Sequence, residues 1–233
     1  MIVFIVIAIC YALPLALYSP EPESLAITRK SSLKSRIRYA AATLGMGLGL
    51  ILVAAVTFDQ SHQIDPNIMV VLALSRQGVF EWGFVFQLFT CNFLHINMLH
   101  LVGNLSVLLF MSAYERRAGW RRFTAVFIAS ATIASMGGLL WMPPHTASMG
   151  ASAGICGLAA AYFLDHGELT LARWIKGVPL VLFIVGLYHF LGPTREGLMG
   201  LEIDPGAHLL GAFAGAAFVF LIRARPIPET PGT

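Results

Sequence analysis

The sequence predicts an all-α fold, a polytopic transmembrane helical bundle, and three observations carry that expectation. Of 233 residues, 57% are hydrophobic and only 12% charged, whereas an ordinary soluble domain carries roughly 25% charged residues. Apolar runs close to the roughly 17 to 25 residues that cross a hydrocarbon core recur along the chain. The Lys and Arg residues lie between or at the edges of those runs, which is where topology signals belong. Six or seven spans would use nearly the whole chain and leave no room for a separate soluble domain. The net charge of +3 is too small to suggest nucleic acid as a partner. Cys10, Cys91 and Cys156 show no CxxC or metal-ligand spacing, so neither a disulfide framework nor a metal site is expected.

The elements follow in order. The first apolar run, Ile2 to Tyr18, lacks the basic residues that precede a signal peptide's apolar stretch and is read as a retained helix. Arg29, Lys30, Lys34, Arg36 and Arg38 form a basic linker, and Ala40 to Phe58 is the second span. The Asp59 to Asn97 segment carries Trp82, Phe84, Phe86 and Phe89 among few charges. Such aromatic residues favour a membrane interface, so the segment lies on or partly in one leaflet, packs over the helix ends, or does both. Met98 to Tyr114, Phe123 to Met142, Ser148 to Leu164, Trp174 to Leu191 and Ala207 to Ile222 complete the spans. The Pro-rich tail from Pro226 reads as disordered.

All of the 15 Lys and Arg residues except Arg76 and Arg195 fall after the first, third, fifth and seventh spans. The positive-inside rule makes that side cytoplasmic. The Asp59 to Asn97 segment, the Pro143-Pro144-His145 turn and the Gly192 to Gly206 loop are then external. Membership of the bacterial cytoplasmic membrane, with the site described next near its external face, is the expected location.

Polar groups at membrane depth are expensive and mark function by default. His100 and Asn104, four residues apart, share one helical face at the external end of the third span. An isolated pair of this kind commonly satisfies a neighbouring helix. The run Met149-Gly150-Ala151-Ser152-Ala153-Gly154 opens the fifth span; a serine there is often a packing residue, and Gly150 with Gly154 makes a close-approach spacing. A first-turn residue, however, keeps a backbone N–H without an intrahelical acceptor, available to an oxyanion formed at the Ser152 hydroxyl. In the last span His208, Gly211 and Gly215 share a face, and Ser152, Cys156 and Ala159 form a comparable small-residue stripe. Two such helices could bring Ser152 and His208 within the roughly 2.6 to 3.2 Å of a nucleophile and its base. The topology puts Ser152, His208, His100 and Asn104 at one depth, although none of them entered the assignment. Asp204, four residues before His208, reads as a helix cap followed by proline rather than as a third catalytic group. His62, His145, His166 and His189 have no partner pattern, and Glu115 with Arg116 and Arg117 anchors the cytoplasmic end of the third span.

These residues resemble the rhomboid family of intramembrane serine proteases. The likeness runs from about Ala40 to Ile222. It rests on His95, His100 and Asn104, the Glu115 to Gly119 turn, the Gly-x-Ser at Gly150 to Ser152 and the Ala-His-x-x-Gly-x-x-x-Gly run from Ala207 to Gly215. It implies a rhomboid-like six-helix core with one additional N-terminal helix, divided as an extra helix and linker (1–37), a six-span core (38–225) and a short tail (226–233). It implies Ser152 as nucleophile, His208 as base, His100 and Asn104 as oxyanion donors, His95 as a structural residue, and Gly150, Gly154 and Gly211 as close-packing positions near the site. The implied activity is hydrolysis of a peptide bond in or beside the membrane segment of single-span proteins, in the lipid bilayer, without metal or organic cofactor. The alternative is an inactive rhomboid-like protein that binds membrane clients. The sequence departs from the family pattern at Ala153 after the serine, at Cys156 where an aromatic residue is common, and at Phe86-Gln87 in place of a Trp-Arg pair; Thr90 still matches.

Overall fold

The apolar runs become helices whose ends fall at glycine, proline and polar signals. The computed structural model describes residues 1–17, 33–143, 146–165 and 205–222, together with positions 179, 182, 184 and 186. The sixth expected span, Asp204, His145, His166, His189 and the tail lie outside the described residues, apart from those four helical positions in the span. The first helices are α1 (Ile2–Leu17), the short basic α2 (Leu33–Arg38) and α3 (Ala41–Thr57). The segment before the third expected span folds into α4 (Pro66–Leu72), α5 (Arg76–Phe80), α6 (Gln87–Thr90) and a 3₁₀ turn at Cys91–Phe93. Then come α7 (Met98–Ala118), α8 (Trp120–Trp141), α9 (Ser152–Leu164) and α10 (Pro205–Leu221). Among the described residues there is no sheet, only isolated bridges.

Among the described residues two helices, α7 and α8, are long and apolar enough to cross a membrane, and α1, α3, α9 and α10 are shorter apolar helices. At a rise of 1.5 Å per residue a 17-residue helix is about 25 Å long, near the lower bound for a span. The α9 helix is shorter still, with 13 residues, because the chain enters it differently from the sequence expectation. Residues 148–151 are not helical. Ser148 exchanges backbone hydrogen bonds with Leu74 at 2.9 and 3.0 Å, and Gly150 has φ 131°, a backbone region closed to residues with a Cβ. The fifth run therefore starts at Ser152 rather than Ser148.

The core forms around α9, every residue of which is buried from Ser152 to Ala161, and α7, α8 and α10 pack against it. A helix apolar on all sides is buried rather than amphipathic. At the end of the bundle away from Ser152, Arg122 Nε meets Asp165 Oδ2 at 2.8 Å and the Tyr114 hydroxyl donates to the same oxygen at 2.9 Å. That pairing ties α7, α8 and the exit of α9. The Glu115 carboxylate accepts from Ala42 N, Thr43 N and the Thr43 hydroxyl at 2.7 to 2.8 Å, so it caps the N-terminus of α3, where a negative charge is stabilising. The anchoring role read for Glu115 is thus a helix cap between α7 and α3.

The Asp59 to Asn97 segment packs through one set of its side chains and leaves its aromatic run partly exposed. Ile64, Met69, Ala73, Leu94 and Ile96 form a buried cluster, while Trp82, Phe86 and Phe89 are about half exposed. The Phe84 ring is in contact with Trp82 and with Phe86.

Candidate active site

Ser152 opens α9, and its amide precedes the first intrahelical acceptor. His208 lies in the first turn of α10. The Ser152 Oγ and His208 Nε2 atoms are 2.7 Å apart, and both residues are buried. What allows this distance is the absence of side chains between the two helices. A Cβ on Gly211 would collide with the backbone of Ala153, and one on Gly215 with the backbone of Gly157. The backbones approach each other where Gly211 and Gly215 of α10 meet Ala153 and Gly157 of α9. Gly154 faces the ring of Phe127 on α8 and Gly150 lies outside the helix, so their close-approach spacing does not act as a helix–helix seam with α10.

Gly150 serves another purpose. A Cβ there would stand 2.9 Å from His100 Nε2 and 3.6 Å from Ser152 Oγ, so the imidazole and the hydroxyl face one small space that a side chain would fill. His100 is placed there by Asn97, whose side chain accepts from the His100 amide at 2.9 Å as the N-cap of α7. One turn later, the fully buried Asn104 donates from Nδ2 to the His100 carbonyl at 3.1 Å. That bond uses one of its two amide hydrogens. Among the described residues Asn104 Oδ1 and His100 Nδ1 have no protein partner. Buried polar atoms are normally paired, so a group of them beside a serine–histidine contact is the kind of exception found at functional sites. His95 is fully buried with its ring edge-on to His100, centroids 5.1 Å apart, and supports that ring from the side.

The structure thus brings Ser152, His208, His100 and Gly150 together and sets Asn104 and His95 directly behind. Sequence reasoning marks Gln87 only as a departure from the family pattern and misses its role. Its side chain is fully buried, donates to the Val70 and Val71 carbonyls at 3.2 and 3.0 Å and accepts from the Ser75 amide at 3.1 Å. Thr90 donates to the Leu72 carbonyl at 2.7 Å. The Gly150 amide in turn donates to the Cys91 carbonyl at 2.9 Å, so the segment pinned by Gln87 holds the residue two before Ser152. Besides that departure, the sequence signal is a lone amide in an aromatic run. Nearby, burial pushes the Cys91 thiol up to about 11, partly offset by its contact with the Ser135 hydroxyl, so the thiol stays protonated at neutral pH. On the exposed turn the Ser61 hydroxyl and the Gln63 and Ser61 amides hold the Asp59 carboxyl below the ordinary range.

Among the described residues no group of His, Cys, Asp and Glu could hold a metal ion. A serine hydroxyl against an imidazole, with N–H groups around the same space, is a constellation suited to acyl transfer.

A family model described as the Rhomboid domain matches residues 83–225, more than half of the chain. RHOMBOID-like protein 7 of Arabidopsis thaliana is 28% identical over 166 residues, which cover 66% of this chain and 50% of that protein. Putative rhomboid protease YdcA of Bacillus subtilis is 31% identical over 145 residues, 60% of this chain and 67% of the relative. Rhomboid-like protease 3 of Toxoplasma gondii is 28% identical over 177 residues, 73% and 64%. The chain spans about half the length of the first of these relatives and about two thirds of the others. With the apolar helical bundle, the matching domain model and these relatives together, the chain belongs to the rhomboid family of integral membrane proteins.

Proposed function

We propose that this protein is an intramembrane serine protease that hydrolyses a peptide bond in or beside the membrane segment of single-span proteins. The observation that carries the reading is the buried Ser152 Oγ to His208 Nε2 contact of 2.7 Å. In this reading the six-span core comprises 38–225, with 1–37 as an added helix and linker and 226–233 as a tail. The basic linkers face the cytoplasm, and the site opens towards the external face of a bacterial cytoplasmic membrane.

His208 Nε2 accepts the Ser152 proton, so the resting imidazole carries its hydrogen on Nδ1. The Ser152 oxygen attacks the scissile carbonyl carbon. The Ser152 amide, His100 Nε2–H and the second Asn104 amide hydrogen donate to the resulting oxyanion. His208 then gives its proton to the leaving amine, and water releases the acyl group by the same steps in reverse roles. Each step uses only groups of this chain, substrate and water.

The test is cleavage of a panel of single-span substrates by the reconstituted protein, paired with labelling by a fluorophosphonate. Ser152→Ala and His208→Ala are each expected to abolish both without unfolding the protein. The double variant should lose little more than either single, because members of one catalytic unit are strongly non-additive. Full cleavage by inserted Ser152→Ala would sink the mechanism. Substrate binding by the wild type without labelling or cleavage would favour the client-binding alternative.

A further inference from the structure

The extra helix α1 is fastened to the bundle at both ends. At its C-terminus Arg36 donates to the Ala16 and Leu17 carbonyls at 3.2 and 3.1 Å, and Arg116 donates to the Leu15 carbonyl at 3.4 Å. These cations meet carbonyls that have no intrahelical donor and the negative end of the helix dipole. In the middle, Tyr11 donates to the Thr43 carbonyl at 2.8 Å and its ring occupies the notch left by Gly47, where a Cβ would collide with it. At the N-terminal end the buried Phe4 ring stands edge-on to Phe58 at 6.1 Å and to His62 at 6.0 Å.

His62 is not an arbitrary neighbour. It has φ 59° in the turn that reverses the chain after α3, a conformation which, among residues other than glycine, favours asparagine, aspartate and histidine, and its ring packs edge-on against Phe4. That turn leads to a short pairing: Phe58 bridges Ile64, the Ile64 amide donates to the Ile96 carbonyl at 3.0 Å, and Gln63 bridges Asn97. Asn97 is the residue that caps α7 and fixes the amide of His100. Phe4 is therefore linked to His100 through a continuous path of contacts along one face of the bundle.

We propose that α1 is a positioning element for the site, with Phe4 and His62 setting, through the Ile64–Ile96 pairing, the place of Asn97 and hence of His100. Neither Phe4 nor His62 touches the reacting atoms. The effect on turnover rests on the protease reading given above, while the effect on the Asn97–His100 cap does not.

The experiment uses the full chain reconstituted in lipid vesicles, as wild type, Phe4→Ala, Phe4→Leu, His62→Asn and the Phe4→Ala/His62→Asn double variant. Asparagine at position 62 keeps the turn conformation accessible and lies outside α1, so it tests the relay even if Phe4→Ala inserts poorly. Amide exchange at 58–65 and 96–100 is expected to rise about tenfold in either single substitution to Ala or Asn, the scale of losing an aromatic pair. The double variant should add little, and exchange within Ser152–Leu164 should not change. Turnover number should fall with KM unchanged, and Phe4→Leu should recover much of it. Faster exchange confined to 1–17 and 58–65, with 96–100 as in the wild type, overturns the proposal. A wild type that cleaves none of the substrates while 96–100 still responds counts against the protease reading alone.

Discussion

Gly211 of α10 stands against the backbone of Ala153 on α9, so close that a methyl group has no place between them. One residue before Ala153 is Ser152, and one turn before Gly211 is His208. The 2.7 Å contact is thus set by a backbone-to-backbone seam rather than by the two reacting side chains. Gly211→Ala should force the helices apart, with an overpacking cost of about 1 to 3 kcal/mol, and should lower turnover far more than it lowers melting temperature. A Gly211→Ala protein with wild-type cleavage would show that the seam does not control the pair.

Much of this was legible in the sequence. The Ala207 to Gly215 run showed a glycine face beneath a histidine, and the three-and-four spacing survives folding because α10 is a regular helix. The break between Ser148 and Ala151 was not legible, since small apolar residues there continue the hydrophobic run. It is made by a distant partner, the Leu74 backbone, together with the backbone of Gly150. The docking of α1 was equally hidden, because Phe4 and Tyr11 in an apolar run look no different from lipid-facing residues. Gln87 reads in the sequence only as a departure from a family pattern; its role depends on carbonyls and an amide 12 to 17 residues away.

Gln87 gives a prediction that separates scaffold from chemistry. Gln87→Leu keeps side-chain bulk but leaves the Val70 and Val71 carbonyls and the Ser75 amide without their partner. Leaving such groups unmet costs on the order of 1 to 3 kcal/mol. The variant should melt several degrees lower in detergent, with cleavage recovered at low temperature. An unchanged melting temperature would mean that water replaces the amide and that the segment is held elsewhere.

Asn104 sits one turn below His100, already spending one amide hydrogen on the His100 carbonyl. If its second hydrogen serves the oxyanion, Asn104→Ala should slow turnover by roughly 10² to 10³-fold, as loss of one such donor can do, with little change in KM. Weakened substrate binding with an unchanged turnover number would instead make Asn104 a packing or docking residue.

Substrate choice follows from where Ser152 lies and what a membrane helix is. In a bilayer the backbone polar groups of a spanning segment must be satisfied internally, so a scissile carbonyl in an intact helix is shielded by its own hydrogen-bonded turn. Under the proposed mechanism, attack by Ser152 therefore requires a helix that opens locally. Glycine and proline weaken helices by about 1 and 3 kcal/mol relative to alanine, and small residues fit the restricted space at Gly150, where His100 and Ser152 converge. On the proposed orientation, which puts the basic linkers in the cytoplasm and the Ser152 end of α9 outside, the favoured clients should carry small or helix-breaking residues in the outer half of a single span. Replacing those residues with leucine should suppress cleavage, and moving them to the cytoplasmic half should not restore it. Mass spectrometry of the products locates the cut. A cut in the cytoplasmic half would invert the orientation assigned from the Lys and Arg residues and remove the depth argument for Ser152.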